Sequence, residues 1–148
     1  MAARRRRRGR RLARETAMRL IYEADMAQRP ALELLDFRER ELSLHAETAA
    51  YARTLVASVS ANRDDLDAAI GLLTPAWPVD QMARLDVAIM RIALTEIGSG
   101  ETPVAVAINE AVELAKRYCA AGAAPMINGA LGSYVRRGVA SAVPEHQG

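Results

Sequence analysis

Ala13, Ala17, Leu20, Ile21 and Ala24 recur at i, i+4, i+7, i+8 and i+11, a spacing that predicts an amphipathic helix from about Arg10 to Gln28. Arg29-Pro30 ends it, because the residue before a proline is pushed out of the helical region. A weaker helix is expected over Ala31 to Arg40, with Leu32, Leu35 and Phe37 inward. A third is expected over His45 to Ser60 on the stripe Ala49, Ala52, Leu55, Val56 and Val59. Asn62 reads as the N-cap of a fourth, with Asp64 and Asp65 in the first turn and Leu66, Ala69, Ile70 and Leu73 on its apolar face. Thr74-Pro75-Ala76-Trp77-Pro78 divides the chain into halves, and Trp77 is expected to plug the seam between them.

The second half opens on the most apolar segment, Asp80 to Ile97. From Leu85 to Ile97 only Asp86, Arg91, Thr95 and Glu96 are polar. A helix apolar nearly all round belongs in the middle of a bundle. Arg91 in such company calls for a carboxylate, from Glu96 or from a facing helix. Gly98 and Gly100 close this helix, and Thr102-Pro103 opens the next as N-cap and first helical residue. Val104, Ile108, Ala111, Val112, Ala115 and Tyr118 then keep helical spacing, with Glu113 and Arg117 set for an i,i+4 pair. Gly122 and Pro125 mark a turn before a last helix from about Met126 to Arg137. No stretch alternates as a strand does. The prediction is an all-α chain of about seven helices: an arm at 1–9, one helical domain at 10–138 with halves at about 10–73 and 79–138, and a flexible tail at 139–148.

Charge changes this picture at one end. Arg4 to Arg8, Arg10, Arg11 and Arg14 supply eight of the twenty Lys+Arg residues, and residues 15–148 carry a net −6 against +2 for the whole chain. Lys116 is the only lysine. Arginine grips phosphate bidentately and stacks on rings, so a dense block of it suits a nucleic-acid face. The plain alternative is a solvated tail. No uninterrupted apolar stretch follows to complete a secretory or twin-arginine signal. Because Arg10, Arg11 and Arg14 fall on the first helix, and Arg8 just before it, part of the cluster is expected on a pre-ordered surface, where a guanidinium loses less entropy on binding. Tyr22, on the same side, is either a stacking surface for a base or a half-buried edge of the core.

Candidate chemistry is sparse. Cys119 stands alone, which excludes a disulfide framework and points to a reducing cytoplasm. His45 and His146 are a hundred residues apart, so no metal site is expected. There is no glycine-rich phosphate loop and no nucleophile elbow. Neither catalysis nor a cofactor is expected, and no apolar run reaches the ~18 residues of a membrane span.

Three stretches together resemble the NusB family of bacterial transcription antitermination factors. They are Arg10-Arg11-Leu12-Ala13-Arg14-Glu15 leading to Leu20-Ile21-Tyr22; the helix from Leu85 to Ile97; and Pro103 to Tyr118, containing Ile108-Asn109-Glu110-Ala111-Val112-Glu113-Leu114-Ala115-Lys116, followed by Asn128-Gly129-Ala130-Leu131. The resemblance implies two small helical bundles packed side by side. It also implies single-stranded boxA RNA of ribosomal RNA leaders as ligand and ribosomal protein NusE as partner, with other Nus factors and RNA polymerase reached through the complex. Carried over, Arg10, Arg11 and Arg14 meet RNA with Tyr22 beside them, Asp86 meets NusE, and Asn128-Gly129 packs or caps near the RNA side. Ala121 to Met126 departs from the family, which usually has an acidic or Ser-containing turn and an aromatic where Met126 stands. Two other readings follow from the same features: an accessory RNA-binding module of a ribosomal RNA methyltransferase, and a helical homodimer that binds nucleic acid non-specifically.

Overall fold

The computed structural model describes residues 1–145, with side-chain surroundings through residue 138. The described residues form seven α-helices: α1 Ala2–Ala27, α2 Ala31–Leu42, α3 Ala46–Ala61, α4 Arg63–Leu73, α5 Arg84–Ser99, α6 Val104–Tyr118 and α7 Ala123–Glu145, with a 3-10 turn at Val79–Gln81. No strand occurs among the described residues. None of the described helices is long and apolar enough to cross a membrane.

Helix α5 is the axis. Nine of its sixteen residues are buried, on all sides, and it packs against α1, α3, α4, α6 and α7. Helix α1 lies across α2, α3 and α5 on the stripe Ala13, Ala17, Leu20, Ile21 and Ala24 that its period announces. One contiguous core joins both halves, from Ala17 and Leu55 to Ile127 and Leu131.

The ends differ from the sequence reading. Helix α1 begins at Ala2 rather than Arg10, because alanine and arginine are both good helix formers and Gly9 alone is a weak interruption. The segment 1–9, expected as an arm, therefore continues the helix. Helix α7 runs through Gly138 to Glu145, and only 146–148 of the expected tail, with His146, lie outside the described residues. Pro125 sits in the first turn of α7, where a missing N–H costs nothing.

Several side chains expected inward or at caps are elsewhere. Phe37 is 77% exposed and Trp77 64% exposed, so neither fills the core or the seam. Asn62 holds the N-cap position of α4 as expected, but its side chain makes no capping bond there; its amide donates to the Ser58 carbonyl at 2.9 Å and closes α3. The Thr102 hydroxyl is likewise spent on Glu96 at 3.3 Å, leaving Pro103 as the capping residue of α6. Glu113 pairs with Lys116 at 3.5 Å rather than with Arg117.

Candidate nucleic-acid interface

The first turns of α1 are cationic all round, since five consecutive arginines at about 100° each encircle the helix. Arg4 to Arg8 are all exposed, and the next turn brings Arg10, Arg11 and Arg14 to three different environments. Arg11 keeps a side chain 62% exposed while its Nε donates to Glu110 Oε1 at 2.8 Å, bridging α1 to α6. Arg10 lies over a ring of α3, its Cζ 3.7 Å from the Tyr51 centroid.

Arg14 corrects the sequence reading. It is 5% exposed, and its Nε donates to both oxygens of Glu96 at 2.9 and 3.0 Å, with Nη1 3.4 Å from Glu110 Oε1. Its guanidinium is thus occupied by two carboxylates of the second half and does not face solvent. The 3.6 period places position 14 at the edge of the buried stripe, and α5 and α6 then supply the acids. The same pairing reassigns Glu96. Arg91 instead takes Asp25 of α1 at 2.8 Å and Asp67 of α4 at 2.8 and 2.9 Å, so a facing helix provides its carboxylate and Glu96 does not.

Around Glu96 the network closes. The Tyr51 hydroxyl donates to Glu96 Oε2, and burial together with that bond pushes the phenol's pKa up, so it stays a donor. Farther along α1, Glu15 gathers Arg19 at 3.0 Å, Arg117 at 3.4 Å and the Tyr118 hydroxyl. Arg19 and Arg117 stay 63% and 59% exposed, extending the cationic surface from α1 onto α6. The Glu15–Arg19 pair is local, at i,i+4, but Arg117 and Tyr118 reach Glu15 across about a hundred residues and are not legible from local pattern. The one available signal was that Glu96 and Glu110 sit on inward faces of α5 and α6 and so need a base.

Tyr22 is half-buried. At 100° per residue it lies about 20° round the helix from Arg11 and roughly 16 Å along it. Asp86 is half-buried in the first turn of α5. The Cys119 thiol is pushed up to about 12, first by burial and then by the Asp86 carboxylate. A thiol held so far above neutrality is not a nucleophile. Asn128 and Gly129 are both exposed, and a Cβ built on Gly129 would meet nothing within 4 Å, so the packing or capping role is not found. Asn128 instead lines an open groove of about 590 Å³ between α6 and α7, with Asn109, Lys116 and an apolar floor that includes Ile108 and Val112.

A sequence profile described as the NusB family matches residues 11–136. Transcription antitermination protein NusB of Chloroflexus aggregans is 37% identical over 124 residues, covering 82% of this chain and 83% of that protein. The protein of the same name from Dehalococcoides mccartyi is 38% identical over 125 residues, covering 84% and 87%. Among solved structures, T. maritima NusB superposes with a TM-score of 0.79 at 22% identity over 84% of this chain and 88% of that one. The antitermination factor NusB solved with NusE and dsRNA gives 0.75 at 22% identity over 85% and 95%.

Proposed function

The chain belongs to the NusB family, and from that premise we propose that it is a cytoplasmic transcription antitermination factor that binds boxA-type single-stranded RNA of ribosomal RNA leaders together with NusE. Its action is binding without a chemical step. The ridge on α1 neutralises phosphates, and NusE on an adjoining surface lengthens the platform so that one RNA spans both proteins. Two moderate sites joined in this way need not be strong separately.

The observation that carries this reading is Arg10. Among the described residues it has no carboxylate within ion-pair distance, while Arg11, Arg14 and Arg19 each have one. With Arg4 to Arg8 on the same helix it forms an ordered, uncompensated cationic face. The proposed RNA contacts are Arg8, Arg10 and Arg11, with Tyr22 farther along; Arg14 acts from within by holding α1 to α5 and α6.

Neutralising about four phosphates gives a slope near −3 in log affinity against log salt for single-stranded RNA. Arg10→Ala with Arg11→Ala is expected to flatten that slope by about one unit or more and to weaken binding, with helical content kept. A slope near zero for the parent protein, measured by fluorescence anisotropy across a salt series, would remove the ridge from the interface.

Asp86 is the proposed contact for basic NusE, as a carboxylate at the start of the central helix. Asp86→Lys is expected to abolish copurification of NusE and to leave RNA binding by the isolated protein within about twofold, since one rim charge steers partner choice more than it holds the fold. Copurification of NusE with the charge-reversed protein at parent levels would refute this placement.

A further inference from the structure

Arg10 combines two properties that rarely coincide: its charge is unpaired among the described residues, yet its guanidinium has a fixed place. The fixing comes from α3. Cζ lies 3.7 Å from the Tyr51 centroid, well inside the ~6 Å within which a cation is attracted to a ring face. The ring is itself anchored, because its hydroxyl donates to Glu96 Oε2 and lies 3.4 Å from Thr102 Oγ1, and the Glu96 side chain is 1% exposed. One turn earlier on α3 stands Thr48, against the backbone of Gly9. A Cβ at position 9 would come within 2.9 Å of Thr48 Oγ1. The two helices are therefore in close contact at the residue before Arg10, which sets the guanidinium down on the ring.

We propose that Tyr51 is a positioning residue for RNA: it holds the Arg10 guanidinium flat and ready before the strand arrives, and Arg10 then grips a phosphate through its in-plane N–H edge. Stacking occupies only the π-face, so the five donors of the fork stay available for bidentate contact. An exposed arginine pays for its lost rotamers when it binds, whereas this one has already lost them in the folded state. Tyr51 adds no charge, so its contribution lies in geometry. The inference rests on the RNA-binding reading of Arg10 above.

The test is a double-mutant cycle between Tyr51→Leu and Arg10→Ala, read as affinity for a boxA-type single-stranded RNA oligonucleotide in the presence of NusE. Tyr51→Leu is expected to weaken binding about fivefold, with the salt slope unchanged because no charge is lost. In the Arg10→Ala background the same substitution is expected to change affinity by less than about twofold. Tyr51→Phe keeps the ring and is expected to bind within about twofold of the parent. It also guards against a mere folding defect, since it loses the hydroxyl bond to Glu96. Parent-like binding by Tyr51→Leu, or an equal loss in both backgrounds, would overturn the positioning role. Parent-like binding by Arg10→Ala alone would instead overturn the RNA reading of Arg10, and the positioning role would fall with it.

Discussion

Arg14→Ala lowers the unfolding free energy by about 3 kcal/mol, a shift of more than a hundredfold in the folded-to-unfolded ratio. The Arg14 and Glu96 side chains are 6% and 1% exposed, so removing the guanidinium leaves a carboxylate in the interior without its cation. Breaking such a pair costs about 3–5 kcal/mol. The lower end applies because Glu96 keeps two hydroxyl donors, Tyr51 and Thr102. Urea unfolding checks this, with Arg10→Ala as the contrast. Arg10 has no buried partner charge, so its loss costs no more than about 1 kcal/mol, the worth of its contact with the Tyr51 ring, while weakening RNA binding. Adding Glu96→Leu to Arg14→Ala is expected to recover much of the loss, since an apolar replacement of a buried pair is often neutral. Unchanged stability in Arg14→Ala would show that this arginine is a surface residue after all. The contrast bears on the proposed function: of two neighbours in one basic motif, Arg14 holds the helix, and Arg10 is the one proposed to meet RNA.

Asp25→Ala costs about 4 kcal/mol, the larger of the two effects. Asp25 is 4% exposed in its side chain and receives three arginines: Arg91 at 2.8 Å, Arg63 at 3.0 Å and Arg84 at 3.6 Å. Among the described residues Asp67 is the only other acid bound to Arg91, and it is 28% exposed. Without Asp25, Arg63 and Arg84 lose the carboxylate they share with Arg91, and Arg91, 1% exposed, keeps Asp67 but cannot turn to water. Burial opposes the charge on Arg91, but its bonds to Asp67 and the nearby Asp25 charge outweigh it and hold its pKa above the ordinary value. Neutralisation is therefore not an escape, and the cost appears as lost stability. Asp67→Ala is expected to cost only about 1–2 kcal/mol, because water reaches that site and Asp25 still meets Arg91. Chemical denaturation of the two variants side by side decides the order, and a smaller loss for Asp25→Ala than for Asp67→Ala would refute the account.

These networks mark where sequence reading stopped. Helix α5 was recognisable as the central element because its apolar residues go all round, and Arg91 as an internal cation because nothing on that helix permits water. The stripe of α1 from Ala13 to Ala24 was equally plain, and the Ile108 to Lys116 stretch carried the family. Asn62 takes the N-cap position of α4 without its side-chain bond, and Pro103 takes the one expected for Thr102, since a polar side chain near a helix start has competing partners that only packing supplies. Phe37 and Trp77 were placed inward on hydrophobicity alone, which does not decide exposure for a single aromatic.

The sequence by itself determined the helices, their buried faces and the concentration of positive charge at one end. Each of these follows from spacings of three or four residues, or from composition, and both are local. The tertiary structure alone decided which arginines are free. Arg14 meets Glu96 and Glu110 across 82 and 96 residues of chain, while Arg10 lies over the Tyr51 ring with no carboxylate in ion-pair distance among the described residues. A helical period states which side of α1 faces its neighbours. It cannot state whether those neighbours bring a carboxylate or an aromatic ring to that side, and this choice separates a buried strut from a hand held open to RNA.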